Sequence, residues 1–477
     1  MSSSTSEFPV SASHPLVGEF QEQQNIASAA ARRNAFVGAF LGWVFDGYET
    51  YATVLVAAAV VNDLIGPGAA RAQPLYIGGI LAVTLVAWAV GGVASGVIAD
   101  YLGRRRVLLY SILWYSVFAG LTALAPSYAA LLVLRFLTGI GMGAEWGAGS
   151  SLVSELWTSE RRGRGLAYLQ SAFGCGFLLA AAIWHFVNNG SPDAWRWMYV
   201  IGVTPAIATL FVRRYVKDSP LWLEANARRR DARQRVAAGG VNEYDRQITR
   251  LTLWQLFETP ALRRRLGFLL LAALSTTIGW WAVSAWIPQF TAQAVAGKVQ
   301  DVAGAVTSVV LAYNAAGIIG FIAVGYFADW LGRKPTMMIY FAGALATVPL
   351  LFLWPSSPQL LIVIAAVNGF FTLGQWTWLA IYPSELFPTH MRATAITFVF
   401  NTTRLVAAVA TLGGALLIQF FGSISTAAVV VGSIYIVGFL VTPWIGPETR
   451  GVALSDADNL FGAAAPAATT IPERGTP

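Results

Sequence analysis

Charge is what this sequence has least of. Of its 477 residues only 12% are Asp, Glu, Lys or Arg, against roughly a quarter in an ordinary soluble domain. With 56% hydrophobic residues, a soluble globular chain is excluded. A single cysteine, Cys175, allows no internal disulfide and no cysteine-ligated metal site, and the histidines His14, His185 and His390 stand far apart. Redox and zinc chemistry therefore have no donor set, and neither a metal nor a cofactor is expected. The first 30 residues carry Glu7, Glu19 and Glu22 with no basic stretch and no apolar core, which argues against a secretory signal peptide. There is no Gly-Lys-Ser/Thr, no His-Glu-x-x-His and no Gly-x-Ser-x-Gly, so ATP-driven transport would need another chain and an intramembrane enzyme lacks its nucleophile or metal.

What is present is apolar sequence in runs that repeatedly reach the ~20 residues needed to cross a bilayer as a helix. Twelve segments are predicted, at 34–61, 75–99, 107–125, 128–157, 163–187, 194–215, 264–292, 302–328, 336–354, 358–384, 391–420 and 424–445. The runs are continuous in Leu, Ala, Val and Phe and do not alternate, so helices and not a barrel satisfy the backbone. A polar tail precedes residue 34 and another follows residue 446. The Ser-rich start and the Ala/Pro/Thr-rich end have too few large apolar side chains to order on their own.

Basic residues set the orientation. With both termini cytoplasmic, that side receives Arg32, Arg33, Arg104 to Arg106, Arg161, Arg162, Arg164, thirteen from Arg213 to Arg265, Arg333, Lys334, Arg392, Arg450 and Arg474, and the other side only Arg71, Arg196 and Lys298. The asymmetry accounts for the net charge of +7 without nucleic acid as a partner. The long hydrophilic stretch 216–263, expected as a central cytoplasmic loop, divides six segments from six, giving halves at 34–215 and 264–446. Internal repetition supports the division. Asp100-Tyr-Leu-Gly103-Arg104-Arg105 returns as Asp329-Trp-Leu-Gly332-Arg333-Lys334, and Ser154-Glu155-Leu156 with Arg162 returns as Ser384-Glu385-Leu386 with Arg392, at offsets of 229 and 230.

These repeated loops, GVIADYLGRRR and GYFADWLGRK, resemble the signature of the major facilitator superfamily, as do RFLTGIGMG in the fourth segment and VKDSPLWL and GPETRG closing the halves. Within it, FDGYET in the first segment and GMGAEWGAG in the fourth look most like proton symporters for organic acids of the sialate/lactate and aromatic-acid types. Glu49 stands where those usually carry aspartate. The resemblance implies an all-α membrane protein with twelve transmembrane helices in two pseudo-symmetric six-helix halves, acting as a monomer in a bacterial inner membrane. The implied function is proton-coupled import of a small organic anion by alternating access. It also implies that Asp100, Gly103, Arg104, Asp329, Gly332, Arg333, Glu155, Glu385, Arg162 and Arg392 serve gating and stability and do not touch substrate.

Ionisable residues at membrane depth are costly and point to function. Asp46 and Glu49 share a face of the first segment, and a carboxylate in low dielectric beside a second one suits a group that takes up and releases protons. Arg135 and Glu145 on the fourth segment are expected to complete the proton-coupling set, with Arg135 biasing Asp46; an Arg135–Glu145 pair is disfavoured because ten helical residues span ~15 Å. On the eleventh segment Thr397, Asn401 and Arg404 form one polar stripe. The planar guanidinium of Arg404 matches a carboxylate in two hydrogen bonds, either the substrate's or that of Asp46, Glu49 or Glu145. Gln375, Trp376, Trp281 and Asn314 are candidate cavity-lining residues, while most of the 18 tryptophans are expected in the interfacial belts. Two rival readings remain at this level: a facilitator for sugars or other neutral metabolites, disfavoured by the missing glutamine pair in STTIGWWAVSAWIPQF, and a non-transporting nutrient sensor, whose long soluble extensions are missing here.

Overall fold

The computed structural model describes residues 29–66, 72–188, 191–239, 243–354, 357–452 and 454; most of both tails, with His14, Arg71 and Arg474, lies outside the described residues. Among those described, the regular structure is helical throughout. Helices α1 (Ala29–Leu64), α2 (Gln73–Leu102), α3 (Arg104–Thr122), α4 (Tyr128–Leu156) and α5 (Arg162–Val187) fall on the first five predicted segments. The sixth is broken into α6 (Ala194–Ile201) and α7 (Pro205–Tyr215). After α8 (Pro220–Ala237), α9 (Glu243–Thr249) and α10 (Thr252–Gln255) come α11 (Pro260–Val295), α12 (Val302–Trp330) and α13 (Arg333–Leu353). The tenth segment is α14 (Pro358–Gly374), a 3-10 turn at Gln375–Thr377 and α15 (Trp378–Leu386). Helix α16 (Arg392–Phe421) precedes α17 (Ile424–Gly432) and α18 (Tyr435–Val441).

Local chemistry sets these boundaries. Ser127, Ser219, Thr259, Ser357 and Ser423 each accept a backbone N–H of the first turn they precede, satisfying a donor that the helix itself leaves orphaned. Pro205, Pro220, Pro260 and Pro358 occupy the first helical position, where a missing N–H costs nothing. Gly103 and Gly332, at φ +101° and +108°, let α2 turn into α3 within one residue and α12 into α13 within two, a conformation closed to most L side chains.

Among the described residues, eleven helices or helix pairs are long and apolar enough to cross a membrane. Helix α3 falls short because it opens on three arginines, yet geometry requires it to traverse the bundle. The ends of α2 and α4 lie in one layer, where Arg104 pairs with Glu155 at 3.0 Å, so α3 carries the chain to the far side, where α4 begins. Solvent exposure is inverted relative to a soluble bundle. Leu75, Leu124, Ile207, Val409 and Phe420 are largely exposed, while Asp46, Arg135, Asn401 and Gln375 are buried, as expected where lipid is the solvent.

The stretch 216–263, expected as a loop, is instead largely helical. Helix α8 starts on a capped serine and a proline and runs through Ala- and Arg-rich sequence, all of which favours a helix. It docks under the bundle: Arg229 donates to the carbonyls of Asp100 (2.8 Å) and His390 (2.5 Å), and Trp222 Nε1 donates to that of Asp100.

Candidate functional site

Two polar layers hold the predicted residues. The first, on the basic face, repeats itself. Arg104 binds Asp100 (3.1 Å), Glu155 (3.0 Å) and the Ala99 carbonyl (2.9 Å), while Arg333 binds Asp329 (3.3 Å), Glu385 (2.6 Å) and the Ala328 carbonyl (2.8 Å). Arg162 Nε donates to the Ser154 carbonyl and Arg392 Nε to that of Ser384. Each arginine then reaches across, Arg162 to Glu385 at 3.1 Å and Arg392 to Glu155 at 3.4 Å. The Asp100 carboxylate accepts the N–H groups of Ala393 and Thr394 at the start of α16, and Asp329 accepts that of Arg164 at the start of α5. Carboxylates placed so satisfy orphan donors and meet the positive end of the helix. The result ties residues before 217 to residues after 328 and closes this face.

Several members of this layer were not singled out in the sequence, although they lie in the quoted segments closing each half. Asp218 accepts from Arg105 N–H, and Glu448 from those of Arg333 and Lys334. Burial pushes the Asp218 carboxyl up from its ordinary range against the pull of these contacts. Ser219 bonds Glu155, and Thr449 bonds Glu385.

The second layer lies in mid-bundle. Arg135 pairs with Glu49 at 2.5 Å and packs over the Tyr199 ring, so its partner is Glu49 and not Asp46 or Glu145. Charged groups that bear on Asp46 include Glu145, Arg404 and Glu49, so any influence of Arg135 on Asp46 runs through the Glu49 it pairs with. Both Asp46 oxygens lack a hydrogen-bond partner among the described residues. Glu145 is buried against α1, so close to Gly42 that a side chain there would overlap its carboxylate. Gly42 lies one turn before Asp46, which places both acids at the α1–α4 contact.

Arg404 forms no ion pair among the described residues. Its Nη1 donates to Asn401 Oδ1 (3.0 Å) and the Phe400 carbonyl (3.2 Å), its Nε has no acceptor, and the guanidinium sits 4.2 Å from the Trp88 ring and 4.4 Å from that of Phe400. Stacking and one anchored nitrogen hold the fork in place. It lines a cavity with Trp43, Trp88, Phe173, Trp280, Trp281, Trp376 and Phe400. The enclosed volume is about 20 Å³, room for a single water, so a larger guest requires the rings to separate.

The other candidate residues take different places. Asn401 orients Arg404 and rests on Gly92 of α2. Trp281 and Trp376 line the cavity. Gln375 does not: it bonds Thr276 and the Tyr340 carbonyl and faces a smaller space beside Arg333. Asn314 is also outside, turning its amide back to the Val310 carbonyl. Trp43 and Trp88 were absent from the expected lining. Both sit mid-helix, where an interfacial belt residue would not, and Trp43 falls one turn before Asp46 on the same face; that position was the available signal.

With fold and site in view, comparison with known proteins identifies the class. The Sugar (and other) transporter family matches residues 34–461, and the chain belongs to that family of the major facilitator superfamily. It is therefore a multi-pass membrane transporter and not an enzyme. A "Probable 4-methylmuconolactone transporter" of Cupriavidus pinatubonensis is 27% identical over 435 residues, 90% of this chain and 94% of the relative. The cis,cis-muconate transport protein of Acinetobacter baylyi is 26% identical over 410 residues, 84% and 91% of the two chains. In three dimensions the proton:xylose symporter XylE of E. coli, bound to 6-bromo-6-deoxy-D-glucose, matches with a TM-score of 0.71 at 17% identity, over 91% of this chain and 99% of that one.

Proposed function

We propose that the protein is a proton-coupled symporter that imports a small organic acid across a bacterial inner membrane, acting as a monomer with both termini and the basic face in the cytoplasm. The observation that carries this reading is Arg404, a buried guanidinium with no ion pair among the described residues, facing an aromatic cavity, while neither Asp46 oxygen has a hydrogen-bond partner among them. The halves 34–215 and 264–446 would rock about that cavity, and the charged layer would open when the cytoplasmic side does. Relatives named for the transport of muconate and sialic acid support an anionic substrate.

The coupling follows from counting charge. With Glu49 held by Arg135, Arg404 offsets one negative charge from Asp46 and Glu145. An anion on Arg404 removes that offset, so anion and proton each favour the other's binding, a reciprocal linkage. The test is uptake into proteoliposomes of labelled lactate, a hydroxybenzoate, sialate, a dicarboxylate and glucose, with and without an inward proton gradient. Accumulation of a carboxylate only under the gradient, abolished in Arg404→Ala, supports the reading. Gradient-independent glucose movement, or binding with no transport, would move it to a facilitator or a sensor.

A further inference from the structure

Around α10 the chain presents an apolar side that nothing among the described residues covers. In the stretch 251–257, Thr252, Gln255 and Leu256 are buried, while Leu251, Trp254 and Phe257 are exposed. Hydrogen bonds fix the buried side. The Tyr101 hydroxyl at the end of α2 and the Gln255 amide both donate to the Arg250 carbonyl, at 2.9 and 2.7 Å. The Thr252 hydroxyl stands 2.7 Å from that of Thr394 in the first turn of α16, and Gln255 Oε1 lies 2.9 Å from His390 Nε2. The segment therefore has one side left to show, and it shows Trp254 at 66% exposure.

Neighbouring helices locate that side at the membrane. The Phe257 ring meets that of Phe398 nearly edge-on, with 5.6 Å between centroids. Phe398 shares a face of α16 with Leu405, Val409 and Leu416 at helical spacing, and all three are exposed. Phe257 thus continues a lipid-facing row toward the basic face. On α11 the corresponding row is Arg264, Phe268 and Leu271: Arg264 packs over the Phe268 ring at 5.7 Å, and Leu271 is exposed. The Thr277 and Thr403 hydroxyls, 2.8 Å apart, level the two helices, both of which start at the basic face. Counted back from that contact, Phe398 is ~8 Å and Arg264 ~20 Å away, so the guanidinium stands ~12 Å nearer the basic face than the rings. Chain reach keeps Phe257 within ~11 Å of Pro260, where α11 begins.

Charge completes the corner. Asp245 and Glu258, the acids nearest in sequence, are already bound by Arg235 at 2.7 Å and Arg250 at 2.8 Å. Arg263 and Arg264 are exposed and form no ion pair among the described residues. Exposed Trp and Phe favour the boundary of a bilayer over water, and adjacent arginines at headgroup depth attract anionic lipid, their stems lying along apolar surface.

We propose that this corner is a binding site for an anionic phospholipid of the leaflet at the basic face, with Arg263 and Arg264 on the headgroup phosphate and the exposed side of α10 set in the same leaflet. A zwitterionic lipid suits the aromatic rings equally but brings its own cation to the two arginines, so net negative charge decides the preference.

The experiment uses the full chain in phosphatidylcholine nanodiscs, with Cys175→Ser and a bimane attached through Gly267→Cys. Gly267 lies one turn from both arginines, and a Cβ there meets open space. Chain-brominated phosphatidylglycerol or phosphatidylcholine is titrated in, and quenching reads which lipid occupies the corner. The wild-type site should prefer phosphatidylglycerol by about fivefold for each arginine, roughly 30-fold for both, and lose most of that preference in high salt. Arg263→Gln with Arg264→Gln should bring the two lipids to parity, whereas Arg263→Lys with Arg264→Lys should keep most of the preference. A second bimane, attached through Leu251→Cys, should be quenched by both lipids. Equal quenching at the first position in the wild type, a preference that survives in the glutamine variant, or no quenching at the second position overturns the proposal.

Discussion

Replacing Glu385 with glutamine should open the basic face. Glu385 is 3% exposed and accepts from Arg333 at 2.8 and 2.6 Å, from Arg162 at 3.1 Å and from the Thr449 hydroxyl at 2.6 Å. Removing one member of a buried ion pair costs about 3–5 kcal/mol, but that total does not all bear on the conformational equilibrium. Arg333 and Glu385 both follow the central segment, so their contact persists whichever way the halves rock. The Arg162 bond joins the two halves and exists only while this face is closed. A hydrogen bond to a charged group contributes about 1.5–3 kcal/mol, so its loss should raise the open fraction by roughly 10- to 150-fold. With Cys175 replaced by serine and spin labels at Glu160 and Leu331, both exposed, pulsed electron resonance reads the distance across this face. A longer-distance population should emerge in Glu385→Gln. An unchanged distribution in a variant that remains folded would refute the assignment of Arg162–Glu385 as a conformational tie.

Arg404→Lys keeps the charge but loses the planar fork and its stacking on Trp88 and Phe400, so carboxylate uptake should fall by about tenfold or more; wild-type uptake would deny the fork a role. Gly96→Val should hinder closure of the basic face, because a Cβ there overlaps the Thr397 hydroxyl, and labelling at a cytoplasmic cysteine should speed up accordingly; unchanged labelling would show that α2 and α16 have room to spare. Arg229→Ala removes two hydrogen bonds from a charged donor, together about 3 kcal/mol, and should lower the thermal midpoint in detergent by several degrees; an unaltered midpoint would make α8 a passenger.

The spans were legible because lipid demands long apolar runs, and residues 128–157 or 163–187 on the page are Tyr128–Leu156 and Arg162–Val187 in the fold. The repeated Asp-x-x-Gly-Arg loops likewise announced a repeated layer. Pairing was harder to read. Helix spacing sets Glu145 apart from Arg135, but nothing in the sequence distinguishes Glu49 from Asp46 as its partner on α1, since that choice depends on how α1 rotates against α4. Its mid-helix position marks Gln375 as cavity lining on sequence alone, but the 3-10 turn at Gln375–Thr377 sends Gln375 to Thr276 and Trp376 to the cavity. The helical character of 216–263 was hidden by its hydrophilicity, which signals surface and says little about backbone conformation.

The central claim is that a proton travels with the anion, and it is tested most directly without any imposed gradient. Proteoliposomes holding a pH-sensitive dye would receive a transported carboxylate from outside, with protein-free liposomes correcting for passive entry of the protonated acid. The account predicts that the lumen acidifies as substrate enters through the wild type and does not in Asp46→Asn. Substrate entry through the wild type with no change in lumenal pH would contradict it.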